Sequence, residues 1–501
     1  ERAGHPGGKM REVTVDGVPI DAGPTVFTMR WVFDEILDAV GRNLDDAVRL
    51  VPVETLARHA WSESERLDLF ADPERSADAI GKFAGAAEAR GHLAFCRAAR
   101  QTYIALQRTF LAAQQPSMPG LVGRLGLSGL RNFTQTNPMA SMWSELGRYF
   151  KDPRLRQLFG RYATYVGSSP FEAPSTLMLI AHVEQTGVWL VEGGMHRIAV
   201  ALAGVATSSG ATIRYGAHVA GITTDTSGRA SGVVLSTGER IEADAVVFNG
   251  DANALALGLA GTAASRALAG HARNAPSLSA VTFAMRAQSS GFPLLRHSVF
   301  FSRDYQREFA DLFSAQRIPA DPTVYICAQD RDDHGLVSAA SGECERLLCL
   351  VNAPANGEGR SGREPQHCIA PEEIDRCREL MTSRLAACGL MLTAGPNSTV
   401  TTTPSGFAEL FPGTGGAIYG MASHGWMASF RRPHSRTRMA GLYLAGGSAH
   451  PGAGVPMAAL SGRLAAESVL QDLTSPSRSR LAAMPGGTSM GSATTVSTRS
   501  P

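Results

Sequence analysis

No stretch limits the fold of this chain more than "GLYLAGGSAHPGAGVPMAALSGRLAAESV", near the C-terminus. Leu442, Tyr443, Leu444 and Ala445 form an apolar run too short for a helix, so it reads as a buried strand. The run stops at Gly446-Gly447, and "PGAGVPMAALSGRLAAESV" then carries a helical pattern. A strand–glycines–helix junction offers unpaired N–H groups and the positive end of a helix to an anionic or electron-rich ligand. Taken by itself, the same segment also reads as a tight strand-to-helix turn with no ligand.

The other end of the chain supplies a second clue. "ERAGHPGGKM REVTVDGVPI DAGPTVFT" looks like the exit of a strand. In a dinucleotide-binding fold, a GxGxxG turn after the first strand cradles the pyrophosphate, and an acidic residue about 20 positions on takes the ribose hydroxyls. No GxGxxG follows a strand here; "GLVGRLG" at 120–126 follows helical sequence and has the wrong spacing. Glu1 is placed as the ribose carboxylate, with the first βαβ half expected upstream of it. Gly7-Gly8 would let the backbone pass close to a bulky cofactor. An ordinary loop explains these residues too, until the two ends are considered together as halves of one flavin site.

Composition narrows the classes. A chain of 501 residues makes two or three domains and buries a large core. A net charge of +2 gives no electrostatic reason to expect nucleic acid. No run of 18 apolar residues occurs, so a bilayer-spanning helix is not expected. The seven cysteines form no CxxC and are odd in number, which points to free thiols rather than a zinc site or disulfide framework. Positive charge is nearly all arginine, beside abundant alanine and glycine, which suggests a GC-rich bacterial genome.

Along the chain, residues 26–165 read mainly as helix, beginning with "RWVFDEILDAVG". Residues 193–248 read as a glycine-started helix, a hairpin turning at Ser227-Gly228, a second turn at "TGER" and a strand at 245–248. Between 275 and 355 four strand-like runs recur: "SAVTFAMRA", "HSVFFS", "PTVYICAQ" and "RLLCLVNAP". A helix at 371–388 and irregular, glycine-rich sequence follow, and 474–501 reads as a disordered tail.

With these pieces in view, the chain resembles the carotenoid desaturases, flavoproteins related to phytoene desaturase, over residues 1 to about 472. Within them it is most similar to the bacterial branch that acts on 1-hydroxycarotenoids at the 3,4 bond. The resemblance rests on "ERAGHPGGKM", "DAGPTVFTMRWVFDEI", "FGRYATYVGSSPFEAPSTLMLIAHVEQTGVWLVEGGMHRIA" and "GLYLAGGSAHPGAGVPMAALSGRLAAE". Val455-Pro456-Met457 stands where phytoene-specific relatives tend to have Ile-Pro-Gly. The family's N-terminal GxGxxG unit is absent from the sequence, and the tail beyond 473 is foreign to it.

The resemblance implies an α/β fold: a Rossmann-like FAD-binding domain from 1–25, 190–262 and 434–473, and a mixed-sheet and helical substrate domain from 26–189 and 263–433. It implies FAD as cofactor. Glu1 would hold the adenosine ribose; Gly7, Gly8 and Lys9 would line the cofactor channel; Gly23, Pro24 and Thr25 would run under the isoalloxazine. Val219 would pair its backbone with the adenine, Gly446 and Gly447 would approach the ribityl–pyrophosphate, and Gly454, Val455 and Pro456 would meet the flavin's pyrimidine edge. Lys9 could equally be a solvated charge, and the glycines could serve the backbone alone.

Desaturation removes a hydride and a proton, with the flavin as hydride acceptor and the protein as an orienting, water-excluding shell. His450 is the imidazole nearest the expected flavin face, a proton acceptor or a packing residue. Glu192 could bind a substrate hydroxyl, or be a solvated carboxylate at a helix start. The expected reaction is desaturation of an acyclic 1-hydroxy- or 1-methoxycarotenoid, with another acyclic carotene as alternative substrate and a flavin-free polyene carrier as the alternative of another class. Such a substrate arrives from a membrane, so peripheral contact on the cytoplasmic face is expected. "TLMLIAHVEQTGVWL" and "SGFPLLRHSVFFS" would be its anchors, or else core.

Overall fold

The structure, a computed structural model, describes residues 1–117, 119–120, 123–124, 137, 139–271, 275–338, 342–355 and 369–474. The expected disordered tail therefore lies, apart from Thr474, outside the described residues.

The largest element is a seven-stranded mixed sheet. Its order is Met391–Thr402, Ser279–Ser290, Glu345–Ala353, Val324–Ala328, His297–Phe300, Thr55–Ala60 and Arg66–Phe70. All neighbours run antiparallel except the parallel pair His297–Phe300 and Thr55–Ala60. The central strands are apolar on both faces because both are covered. Phe283, Met285, Leu347, Cys349 and Val351 pack on Cys377, Met381 and Leu385 of the helix Pro371–Ala387. On the opposite face Ala284, Leu348 and Cys327 meet Val15 and Ile20 of the hairpin Glu12–Val15/Val18–Asp21. That second face also forms part of the cavity described below.

All four strand-like runs of 275–355 are strands, and the 371–388 pattern is the helix Pro371–Ala387. Two expectations need correction. Residues 26–165 are not mainly helical before residue 73, since Leu50–Pro52, Thr55–Ala60 and Arg66–Phe70 are strands. "TLARHA" and "RLDLF" each hold a charge that looks unsuited to a buried strand, yet Arg58 and Asp68 neutralise each other across the ladder at 2.7 Å. The glycine-rich stretch after 388 contains the 12-residue strand Met391–Thr402. It is an edge strand whose register shifts opposite Met285 and Ala287, and such edges admit the Gly395-Pro396 pair that masked it.

A second group of elements brings the chain's ends together. Val246–Phe248 pairs in parallel with Leu442–Leu444. The three-stranded sheet Val219–Thr224, Ala230–Leu235 and Arg240–Glu242 lies nearby, its turns at Gly228 and Gly238 as the sequence predicts. Ile222, Leu255, Leu442 and Leu444 share one core cluster there. The helix Val455–Thr474 buries Leu460 against Phe27, Phe33 and Ile198, which fastens the C-terminal segment to the N-terminal one.

Candidate functional site

The Asp21 carboxylate shows how the N-terminal segment is positioned. It accepts hydrogen bonds from the Met195 N–H at 2.7 Å and the His196 N–H at 3.1 Å. Two free donors at the start of the helix His196–Ser208 are thereby satisfied. The Arg11 carbonyl accepts from the Ala22 N–H at 2.8 Å, so residues 9–11 and 22–23 run side by side. Gly23 is needed for that approach, because a Cβ there would stand 2.0 Å from the Lys9 carbonyl oxygen. Residues 1–3 are held alongside 214–217, with the Glu1 carbonyl accepting from the Ala217 N–H at 2.8 Å.

The C-terminal segment is held by Arg432. Its guanidinium donates to the carbonyls of Tyr419, Gly447 and Met421 at 3.1–3.3 Å. Burial pushes its pKa down to about 10, with the Asp251 charge opposing. Ser461, on the helix Val455–Thr474, accepts from the Gly446 N–H at 3.2 Å and fixes the glycine turn over that helix. Gly454 has φ +116, a conformation side chains disfavour, and the nearest atom to a Cβ built there is Met457 Cγ at 3.8 Å.

Between these segments and the sheet lies a cavity of about 1900 Å³. Glu1, Gly7, Gly8, Lys9, Gly23, Pro24, Thr25, Val219, Gly446, Gly447, Gly454, Val455 and Pro456 all line it, so the two remote ends share one compartment. Lys9 donates to the Ile418 carbonyl at 2.9 Å, and burial lowers its pKa, with Asp251 opposing.

The two remaining sequence candidates stand elsewhere. His450 is buried one layer behind the wall, edge-on to Phe110 at 5.0 Å and to His434 at 5.7 Å. Burial, then the neighbouring His434, pushes its pKa to about 4. It packs; it does not face the cavity. Glu192 lies outside the lining, 62% exposed, 3.5 Å from Arg49. Its position just past the strand Val188–Val191 turns it to solvent, and the substrate role is withdrawn. Of the two readings of "TLMLIAHVEQTGVWL" and "SGFPLLRHSVFFS", the core one fits: Ala181, Val183 and Val188 are buried in one, Phe292, Leu294, Phe300 and Phe301 in the other.

Sequence reasoning overlooked the polar side of the cavity. Thr25 Oγ1 lies 2.7 Å from Tyr325 Oη, and His297 Nδ1 lies 2.8 Å from the same hydroxyl. Arg161 donates to Tyr165 Oη at 3.1 Å, while Tyr162 and Tyr165 donate to the Glu184 carboxylate at 2.7 and 3.1 Å. Burial raises the pKa of Glu184, opposed by both hydroxyls and by Arg161. Burial, with neighbouring arginine charge, pushes His59 and His297 to about 3, so both are neutral near pH 7. The available signal was "RYATY", which sets Arg161 and Tyr162 three or four positions before Tyr165 on one helical turn.

A cavity of this size exceeds the range of about 300–1,000 Å³ usual for one small ligand. Its walls combine close-approach glycines at both chain ends with a broad apolar surface, as a flavin lying beside a long apolar molecule would require. Residues 1–335 match the family described as "Flavin containing amine oxidoreductase". The chain belongs to that family, and is an oxidoreductase with FAD as its cofactor. The residues fit the group: Gly7, Gly8, Gly23, Gly446, Gly447 and Gly454 leave the wall without side chains at both segments, and the helix Val455–Thr474 begins at that wall.

Among curated proteins, the chain is 52% identical over 496 residues to the hydroxyneurosporene desaturase of Rubrivivax gelatinosus, covering 99% of the chain and 92% of that protein. It is 44% identical over 473 residues to the protein of that name from Cereibacter sphaeroides, covering 94% and 92%. Among solved structures, an oxidoreductase from Methanosarcina mazei superposes with a TM-score of 0.54 at 16% identity, covering 94% of the chain and 93% of that structure. A fatty acid isomerase from P. acnes that produces CLA superposes with a TM-score of 0.52 at 12% identity, over 94% and 91%. These structural likenesses speak for the fold.

Proposed function

We propose that this protein desaturates an acyclic 1-hydroxy- or 1-methoxycarotenoid at the 3,4 carbon–carbon bond, using FAD. One observation carries the reading. A single, largely apolar cavity is lined at one end by both glycine segments and elsewhere by Leu56, Leu69, Leu177, Ile180, Val299 and Leu348. The near-full-length identity to hydroxyneurosporene desaturases supports that substrate class.

FAD, when bound, supplies the hydride acceptor. The protein's own work is to hold and orient. The segments 7–9, 23–25, 446–447 and 454–456 would hold the cofactor, with Glu1 and Val219 at its adenosine end. The FAD-binding half is assembled from 1–25, 190–262 and 434–473, and the sheet and helices of 26–189 and 263–433 hold the polyene. The apolar wall strips water from the chain and fixes its conformation. Met139, 69% exposed, and Trp426, 43% exposed, both also line the cavity. Such exposed apolar groups on the lining support peripheral contact with a membrane, the source of a polyene, and we assign that contact to the cytoplasmic face. No helix among the described residues is long and apolar enough to cross one.

The test is incubation of flavin-loaded protein with 1-hydroxyneurosporene in vesicles, followed by chromatography. A product with one further conjugated double bond is expected. Recovery of unchanged substrate, with flavin bound and an electron acceptor supplied, would refute the assignment.

A further inference from the structure

One wall group is explained by neither the fold nor the cofactor segments. Arg161 begins the short turn Arg161–Val166, keeps part of its surface open, and lines the cavity. Its guanidinium lies 5.2 Å from the ring centres of both Tyr165 and Tyr325. Its guanidinium donates to Tyr165 Oη, and the groups that act on its charge are the tyrosines Tyr165, Tyr325 and Tyr305 rather than a carboxylate in contact. A guanidinium deep in an apolar compartment without a counter-ion is costly to keep. Glu184 feels the Arg161 charge, and Tyr165 bridges the two.

We propose that Arg161, Tyr165 and Glu184 form the subsite that takes the oxygen at the end of the polyene. Arg161 offers spare N–H donors to that oxygen, and Glu184 offers an acceptor to a hydroxyl hydrogen. A methoxy oxygen, which only accepts, is served by Arg161 alone. Other polar groups line the cavity, among them Thr25, His297 and Tyr325, but the Tyr325 hydroxyl already lies within hydrogen-bond distance of the other two, whereas Arg161 keeps donors to spare. The inference rests on the proposed substrate class.

Position supports the assignment. In a 1-hydroxycarotenoid oxidised at the 3,4 bond, the carbon bearing oxygen is two bonds from the nearer reacting carbon. The oxygen-binding group must therefore lie beside the reacting end of the cofactor rather than at the far end of the cavity. Arg161 packs on Tyr325, whose hydroxyl touches Thr25, and Thr25 belongs to the segment placed under the isoalloxazine. The carboxylate that fills this role is Glu184, on the helix Leu179–Gln185, rather than the exposed Glu192.

The experiment compares 1-hydroxyneurosporene with neurosporene, which lacks the oxygen, as substrates of the full flavin-loaded chain. Wild type, Arg161→Met, Arg161→Lys and Tyr165→Phe are measured for kcat and KM, for flavin content, and for carotenoid bound without an electron acceptor. Loss of a charge-assisted hydrogen bond lowers the preference for the hydroxylated substrate by about 10-fold or more in Arg161→Met. The change falls mainly on KM and on carotenoid bound, flavin content holds, and Arg161→Lys recovers part of the preference. Tyr165→Phe removes one hydroxyl only and shows the same direction if Arg161→Met does not fold. A preference unchanged in these variants, or both substrates slowed equally as flavin is lost, overturns the subsite. Wild type that handles the two carotenoids alike overturns the subsite alone; wild type that binds neither overturns the desaturase reading with it.

Discussion

Replacing Glu308 by glutamine isolates one buried carboxyl that helps to shape the cavity. Glu308 lies on the helix Tyr305–Phe313 and accepts from Ser302 Oγ at 2.6 Å, Thr323 Oγ1 at 2.7 Å and the Thr323 N–H at 3.0 Å. Thr323 in turn lines the cavity. Burial raises the Glu308 pKa from 4.5 to about 7 despite those three donors. Each pKa unit corresponds to about 1.4 kcal/mol, so the displacement amounts to about 3 kcal/mol. In the folded protein the carboxyl holds its proton between pH 4.5 and 7, where the unfolded chain has released it. The folded state thus binds more protons, and stability falls as pH rises through that window. Below it the contribution is fully present; above it, lost. Glu308→Gln keeps the shape while removing the titration: its amide oxygen accepts from the Thr323 N–H, and its NH2 donates to the Ser302 and Thr323 hydroxyls, which turn to accept. Urea unfolding of both proteins from pH 4.5 to 8 should show the variant gaining about 3 kcal/mol relative to wild type across the range. Curves that stay parallel throughout would refute the assigned shift.

Other outcomes follow from the same geometry. Gly23→Ala places a Cβ 2.0 Å from the Lys9 carbonyl oxygen, and overpacking of this kind costs about 1–3 kcal/mol, seen as a lower urea midpoint and reduced flavin content. Gly454→Val should leave the sheet core intact while reducing bound flavin absorbance, since it strains a φ of +116 and intrudes at the cavity wall; undiminished flavin would remove Gly454 from the site. Trp426→Ser, at a side chain 43% exposed, should lower the fraction of protein floating with anionic vesicles without changing the melting temperature, and unchanged flotation would place the membrane contact elsewhere.

What the sequence disclosed depended on whether local pattern and tertiary role agreed. The strands of 279–353 are buried on both faces, so unbroken apolar runs such as "RLLCLVNAP" announced them. The glycine segments were legible because close backbone approach leaves glycine little competition, as at Gly23 against Lys9. Edge strands were not, because Met391–Thr402 carries polar residues and a Gly-Pro pair that only an edge tolerates. The polar wall escaped for a different reason: Arg161, Glu184, Tyr325 and His297 come from four elements that share no spacing. The two readings of His450 could not be separated in the sequence because adjacency to Pro451, which does line the cavity, says nothing about which way a neighbouring side chain turns.

The meeting of residues 7–25 with residues 446–457 has a consequence for biogenesis. During synthesis the first half of the compartment emerges early and waits for the last. Until the helix Val455–Thr474 has left the ribosome, the cluster around Phe27 and Phe33 lacks the cover that Leu460 brings. Final closure of the compartment is therefore a late event. Truncating the chain before Val455 should yield an aggregation-prone product rather than a smaller flavoprotein.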